Sequence, residues 1–146
     1  MQSYIFDFKK SPSFVRKFNK EFDVEDIDTK CFYLVLLDDL CLDNLSDCLN
    51  SEGKLNFTDE QMQIHSQEKE VNLVYSESED YVGIISLKED TTFEFGTTNF
   101  RFKGAFLVNN NGYVLGGSVN TYSVNVTNQM IFEKDLKFFE IVEGER

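Results

Sequence analysis

Phe93-Glu94-Phe95, Phe100-Arg101-Phe102, Tyr122-Ser123-Val124-Asn125-Val126 and Phe139-Glu140-Ile141 decide the fold. Each run alternates large apolar with polar residues, which puts the hydrophobic groups on one face of an extended strand. Between the runs lie turn-forming pairs: Glu89-Asp90, Gly96-Thr97, Asn111-Gly112 and Gly116-Gly117. The sharpest is Asn109-Asn110-Asn111-Gly112, because Asn-Gly tolerates the positive φ angles of a tight hairpin. Short strands at regular spacing across residues 81–143 predict a mainly β fold, an antiparallel sandwich, jelly roll or barrel. Gly116-Gly117, inside the run from Tyr113 to Val119, also reads as a bulge or a close backbone approach.

Working back toward the N-terminus, the pattern becomes mixed. Tyr4 to Phe8 reads as a first strand. Ser11-Pro12 reads as an N-cap followed by proline in the first turn. Behind it Phe14, Val15, Phe18 and Phe22 share one stripe of a helix from Pro12 to Phe22. That stripe serves either the core or docking, and Phe14, Phe18, Phe22, Phe100, Phe102 and Tyr113 are the candidate interface residues. Cys31 to Leu37 is a continuous apolar run, the mark of a strand buried on both faces. Leu37, Cys41, Leu45 and Leu49 then recur every four residues, predicting a second helix that stops near Ser51-Glu52-Gly53. Thr58-Asp59-Glu60-Gln61 fits a capping box, while Gln61 to Ile64 alternates like a strand, so Met62 to His65 stays open between the two. Val71 to Tyr75 reads as a strand and Ser76 to Asp80 as a polar turn. The chain is therefore expected to form a single domain over residues 1–146. Its first part, 1–80, is mixed helix and strand, and its second, 81–143, is strand-rich.

Composition narrows the function classes. With 146 residues the chain is long enough to close one core without covalent staples. Fifteen Phe and no Trp supply buried area without polar atoms to satisfy. A net charge of −12 repels phosphate, which argues against nucleic-acid and anionic-membrane partners. Lys9, Lys10, Arg16, Lys17 and Lys20 form a basic N-terminal segment, read either as a solvated helix face or as a head-to-tail contact between identical subunits. No signal peptide is visible at Met1-Gln2-Ser3-Tyr4, and the longest apolar run is too short to span a bilayer, so a cytoplasmic, soluble chain is expected. Three cysteines, Cys31, Cys41 and Cys48, form no Cys-x-x-Cys pair and are expected to be reduced and partly buried.

No catalytic or cofactor motif stands out, and a non-enzymatic chain without cofactor or metal is expected. The lone His65 could pair with a cysteine, but the cysteines sit in apolar contexts that hold thiols protonated. Asp23, Glu25, Asp26 and Asp28 could hold calcium, yet they lack the EF-hand glycine and terminal Glu, so a solvated acidic loop is the simpler reading and the question stays open. Aromatics interleaved with Arg101 and Lys103 in residues 99–108 superficially fit a nucleic-acid platform, and a Phe-lined hairpin accounts for them better.

The run Phe100 to Val108, with Asn111-Gly112-Tyr113-Val114-Leu115-Gly116 and Asn120-Thr121-Tyr122-Ser123-Val124 after it, resembles small virion proteins of tailed bacteriophages, nearest to the crAss-like group. The Phe- and Asn-rich, Pro-poor composition is similar, and the resemblance covers the last third of the chain. It implies a β-sandwich or jelly-roll subunit that decorates capsids or joins head to tail, found in the virion and, before assembly, in the host cytoplasm. Its partners would be capsid, portal or tail proteins and further copies of itself. The alternative expectation is a soluble acidic phage module that inhibits a basic host protein.

Overall fold

The computed structural model describes residues 6–11, 27, 30–77 and 83–141. The helix expected over Pro12 to Phe22, the acidic residues Asp23, Glu25, Asp26 and Asp28 and the start of the expected first strand, Tyr4 and Ile5, lie outside them. The described residues form two antiparallel sheets and one α-helix, a β-sandwich-like fold. Eight strands follow in chain order: β1 (Lys9–Lys10), β2 (Phe32–Leu37), β3 (Ser66–Val71), β4 (Leu73–Glu77), β5 (Gly83–Leu87), β6 (Thr91–Asn109), β7 (Val114–Phe132) and β8 (Lys137–Ile141). The larger sheet has the order β1-β7-β6-β2-β3 and the smaller β4-β5-β8. Helix α1 (Asp59–His65) precedes β3, and a 3-10 helix covers Leu45–Cys48.

β2 is buried on both faces, as its unbroken apolar run predicts. Phe32, Leu34 and Leu36 point into the main core between the sheets. Val35 and Leu37 point the other way, into a second cluster with Cys41, Cys48, Phe106, Val108 and Val114. A strand can serve two cores only where its outer face is roofed, and residues 38–62 supply that roof through Leu45, Leu49, Leu55, Phe57 and Met62. On the far side of the main core, β5 alternates strictly: Gly83, Ile85 and Leu87 are buried, while Ile84 and Ser86 are half-buried.

Part of the expected series of short C-terminal strands is present, as β5 and as β8 over the Phe139-Glu140-Ile141 run, while the runs between them form one long hairpin, with β6 and β7 each 19 residues long. Gly96-Thr97 does not turn the chain. Gly96 takes φ +63° within β6, where the register shifts. Between the pairs Gly96–Asn128 and Phe100–Val126, β6 carries the extra length; between Phe102–Val124 and Gly104–Val119, β7 does. These bulges change which side chains face inward, so Phe102 belongs to the main core while Phe106, four residues on, belongs to the second cluster. Asn-Gly does form the hairpin. Gly112 takes φ +88°, and the Asn109 side-chain oxygen accepts from the amides of Asn111 (3.0 Å) and Tyr113 (2.9 Å).

Two expectations change and one open choice is decided, each for local reasons. The helix expected from Leu37 is absent, because β2 runs through Leu37 and only the 3-10 turn follows. Asp38 takes the amide of Leu40 onto its carboxylate at 2.9 Å, and such short-range bonds compete with helix formation. The apolar residues still converge in the second cluster, so their spacing reported a shared destination without a continuous helix. Met62 to His65 completes a helix, set by the Thr58–Gln61 capping box. The strand expected over Val71 to Tyr75 breaks at Asn72, whose carbonyl accepts from Lys88 at 2.9 Å while the chain passes from one sheet to the other.

Residues 6–11 form a strap across β7. Phe6 stacks on Phe132 at 4.6 Å and Phe8 meets Phe138 edge-on at 4.9 Å. The Asp7 amide donates to Ser118 Oγ (3.0 Å) and the Ser11 amide to the Leu115 carbonyl (2.8 Å). Lys9 and Lys10 pair with Gly117 and Gly116. A Cβ on Gly116 would collide with the Lys9 carbonyl oxygen, so the close approach expected at Gly116-Gly117 is present and belongs to this strap.

Candidate functional site

The middle of the β6–β7 hairpin runs beyond the strands that flank it, with Phe95 and Phe100 packed against the main core. β2 pairs with β6 only along Gly104–Asn109, and β1 pairs with β7 only at Gly116 and Gly117. Among the described residues no strand pairs with the outer edge of β6 from Phe93 to Lys103. Beside that stretch, the ammonium of Lys69 donates to the Thr92 carbonyl at 2.8 Å. Along this ribbon Phe95 and Phe100 stack in parallel, with centroids 5.1 Å apart. Opposite Lys103, the extra residues Asn120–Ser123 of β7 push outward, and they carry Tyr122 at 80% exposure. Ile131, further along the same strand, is also exposed.

Polar contacts lock the ribbon to the turn after β2. Arg101 Nε lies 2.8 Å from Asp39 Oδ2, and Ser123 Oγ donates to the other oxygen of the same carboxylate. Lys103 Nζ meets Asp43 Oδ1 at 2.7 Å. That hydrogen bond, opposed by partial burial, raises the Lys103 pKa above its ordinary value. These contacts tie the bulged stretch of both strands to the turn after β2.

The six candidate interface residues fall in different places. Phe100 is half-buried in its stack with Phe95. Tyr113 is half-buried beside the hairpin turn, with Lys54 Nζ 4.9 Å from its ring centroid. Phe102 is 1% exposed in the main core, which places it behind the ribbon rather than on its surface. Phe14, Phe18 and Phe22 lie outside the described residues. Tyr122, Ile131 and the clamp Asp39–Arg101–Ser123 were not singled out from the sequence.

His65 Nδ1 lies 2.9 Å from Asp38 Oδ2, a contact that joins the end of α1 to the end of β2, reinforced by the Asp38 amide donating to the His65 carbonyl at 3.1 Å. Cys31 is exposed, whereas Cys41 and Cys48 are buried side by side. Among the described residues no group of three or more His, Cys, Asp or Glu side chains is placed to hold a metal ion, and no helix is long and apolar enough to cross a membrane. Comparison with protein-family models, with curated proteins and with solved structures found no match.

Proposed function

We propose that this chain is a non-enzymatic assembly subunit that docks through its β6–β7 ribbon. The observation that carries the reading is the ribbon itself: a clamped two-stranded stretch whose outer edge no strand pairs among the described residues, with a tyrosine 80% exposed on its bulge. Tyrosine at such a position offers a large, rigid contact area with a hydrogen-bonding tip, the chemistry that protein interfaces concentrate. A sheet edge adds backbone donors and acceptors for a partner strand. The setting we propose is the particle of a tailed bacteriophage, as a capsid auxiliary or head–tail connector subunit. The resemblance of residues 93–144 to small virion proteins supports it. Strong negative charge supports a second reading, an inhibitor steered onto a basic host protein.

Quantitative mass spectrometry of purified particles tests the proposal, with the natural chain and with Tyr122→Glu. Copies on the order of hundreds indicate a shell subunit, and about six or twelve a ring at the portal or tail. The Tyr122→Glu chain is expected to fold normally and to be incorporated roughly tenfold less, the effect of losing one interface hot spot. Absence of the natural chain from clean particles would overturn the virion reading in favour of the inhibitor.

A further inference from the structure

The turn after β2 brings two of the three cysteines together. Cys41 Sγ and Cys48 Sγ are 3.7 Å apart, both thiols are free, and the residues are 1% and 0% exposed. That separation is van der Waals contact, and a disulfide needs a bond of roughly 2 Å. Closure therefore asks for side-chain rotation over less than about 2 Å. Carbonyls orient the pair: Cys41 Sγ lies 3.4 Å from the Leu42 oxygen, and Cys48 Sγ lies 3.4 Å from the Asn44 oxygen. β6 passes alongside at Gly104, where a Cβ would sit 2.7 Å from Cys41 Sγ, so the missing side chain leaves the sulfurs their space. The hydrogen bond shared with Cys41 lowers the Cys48 thiol to about 7 against the opposing effect of burial. The same hydrogen bond, with burial, pushes Cys41 up. The positive charge of Lys103 favours the thiolate at both.

We propose that Cys41 and Cys48 are a redox pair that closes into an intramolecular disulfide when the protein meets a hydroperoxide. The Cys48 thiolate attacks the peroxide, the O–O bond breaks, and hydroxide leaves to be protonated to water. Cys48 is then a sulfenic acid. The Cys41 sulfur attacks it, an S–S bond forms, the S–O bond breaks, and the departing oxygen leaves as a second water with the Cys41 proton. Two thiols lose two electrons in all, and hydrogen peroxide is reduced to two waters. Access comes through local opening of the turn, whose residues Leu42, Asp43 and Asn44 are exposed. The closed form pins the 3-10 helix onto the second cluster, since the ring spans Cys41 to Cys48.

The test uses the full chain carrying Cys31→Ser, reduced, exposed to hydrogen peroxide, alkylated and digested before aspartate without reductant. Cleavage at Asp43 and Asp47 separates the two cysteines, so only a disulfide can hold their peptides together. The expected product is that linked pair, two hydrogens lighter than the sum of its parts, restored by dithiothreitol, in a protein that forms no disulfide between chains and melts at higher temperature. Sulfinic acid at either cysteine of this chain, links only between chains, or thiols still unreacted under conditions that fully oxidise Cys31 in the natural chain would overturn the proposal. In Cys41→Ser, Cys48 has lost its resolving partner and is expected to progress to sulfinic acid. An unchanged Cys48 thiol there would overturn its role as the attacking sulfur.

Discussion

Gly116 gives up a side chain so that another segment can lie against it. The Lys9 carbonyl occupies the place of a Cβ, and the Phe139 ring edge would stand 2.6 Å from it. Gly116→Ala must therefore displace backbone on one side and a core ring on the other, the kind of overpacking that costs about 1–3 kcal/mol. Urea denaturation is expected to show a lower midpoint with an unchanged slope. Lys103 illustrates a smaller, pH-dependent effect. Its pKa is raised in the folded state by the hydrogen bond to Asp43, so the contact's contribution is complete below the ordinary lysine value of 10.5 and lost as pH climbs through the raised value. Because Asp43 is largely exposed, the contribution is at most about 1 kcal/mol. Melting curves of the natural chain and Lys103→Met are expected to differ at neutral pH and to converge in strong alkali.

Among the elements, α1 depends most on a single local device. Thr58 Oγ1 accepts from the Gln61 amide at 3.1 Å, and Gln61 Oε1 accepts from the Thr58 amide at 2.9 Å. A seven-residue helix with no fully buried residue has little else to start it. Thr58→Ala is expected to cost about 1 kcal/mol and to speed amide exchange in Asp59–His65 ahead of the strands, as hydrogen-exchange mass spectrometry would read. The capping box, the β2 run and the Asn-Gly hairpin were legible in the sequence because each depends on neighbours within a few residues. The bulges in β6 and β7 were not, since a register shift is decided by the facing strand. Gly96-Thr97 looked like a turn because glycine with positive φ serves a bulge as well as a turn. Tyr122 is masked in the sequence for the same reason: without the bulge it reads as one more aromatic in an alternating run.

The whole molecule carries its charge unevenly between stability and solubility. At a formal −12 the folded chain repels itself, a tension that dissolved salt relieves. Thermal melting at neutral pH is expected to shift upward as sodium chloride is raised from low to moderate concentration. A melting temperature that fell with salt would mean that favourable pairs such as Arg101–Asp39 outweigh the repulsion.

The place of β2 also bears on how a ribosome delivers this protein. Leu37 pairs with Ser66 on one side and with Gly104 on the other. During synthesis the first partner emerges early, so β2 and β3 can zip while the chain is still growing. The second arrives only after the smaller sheet's β4 and β5 have been made. Until then Phe32–Leu37 offers an apolar strand with one open edge, the kind of template on which nascent chains stick to one another. Asp38 and Asp39 directly follow that strand, and the acidic β3 neighbour carries Glu68 and Glu70. Their charges repel a second nascent copy, so the residues that hold the finished turn in place also guard the unfinished strand.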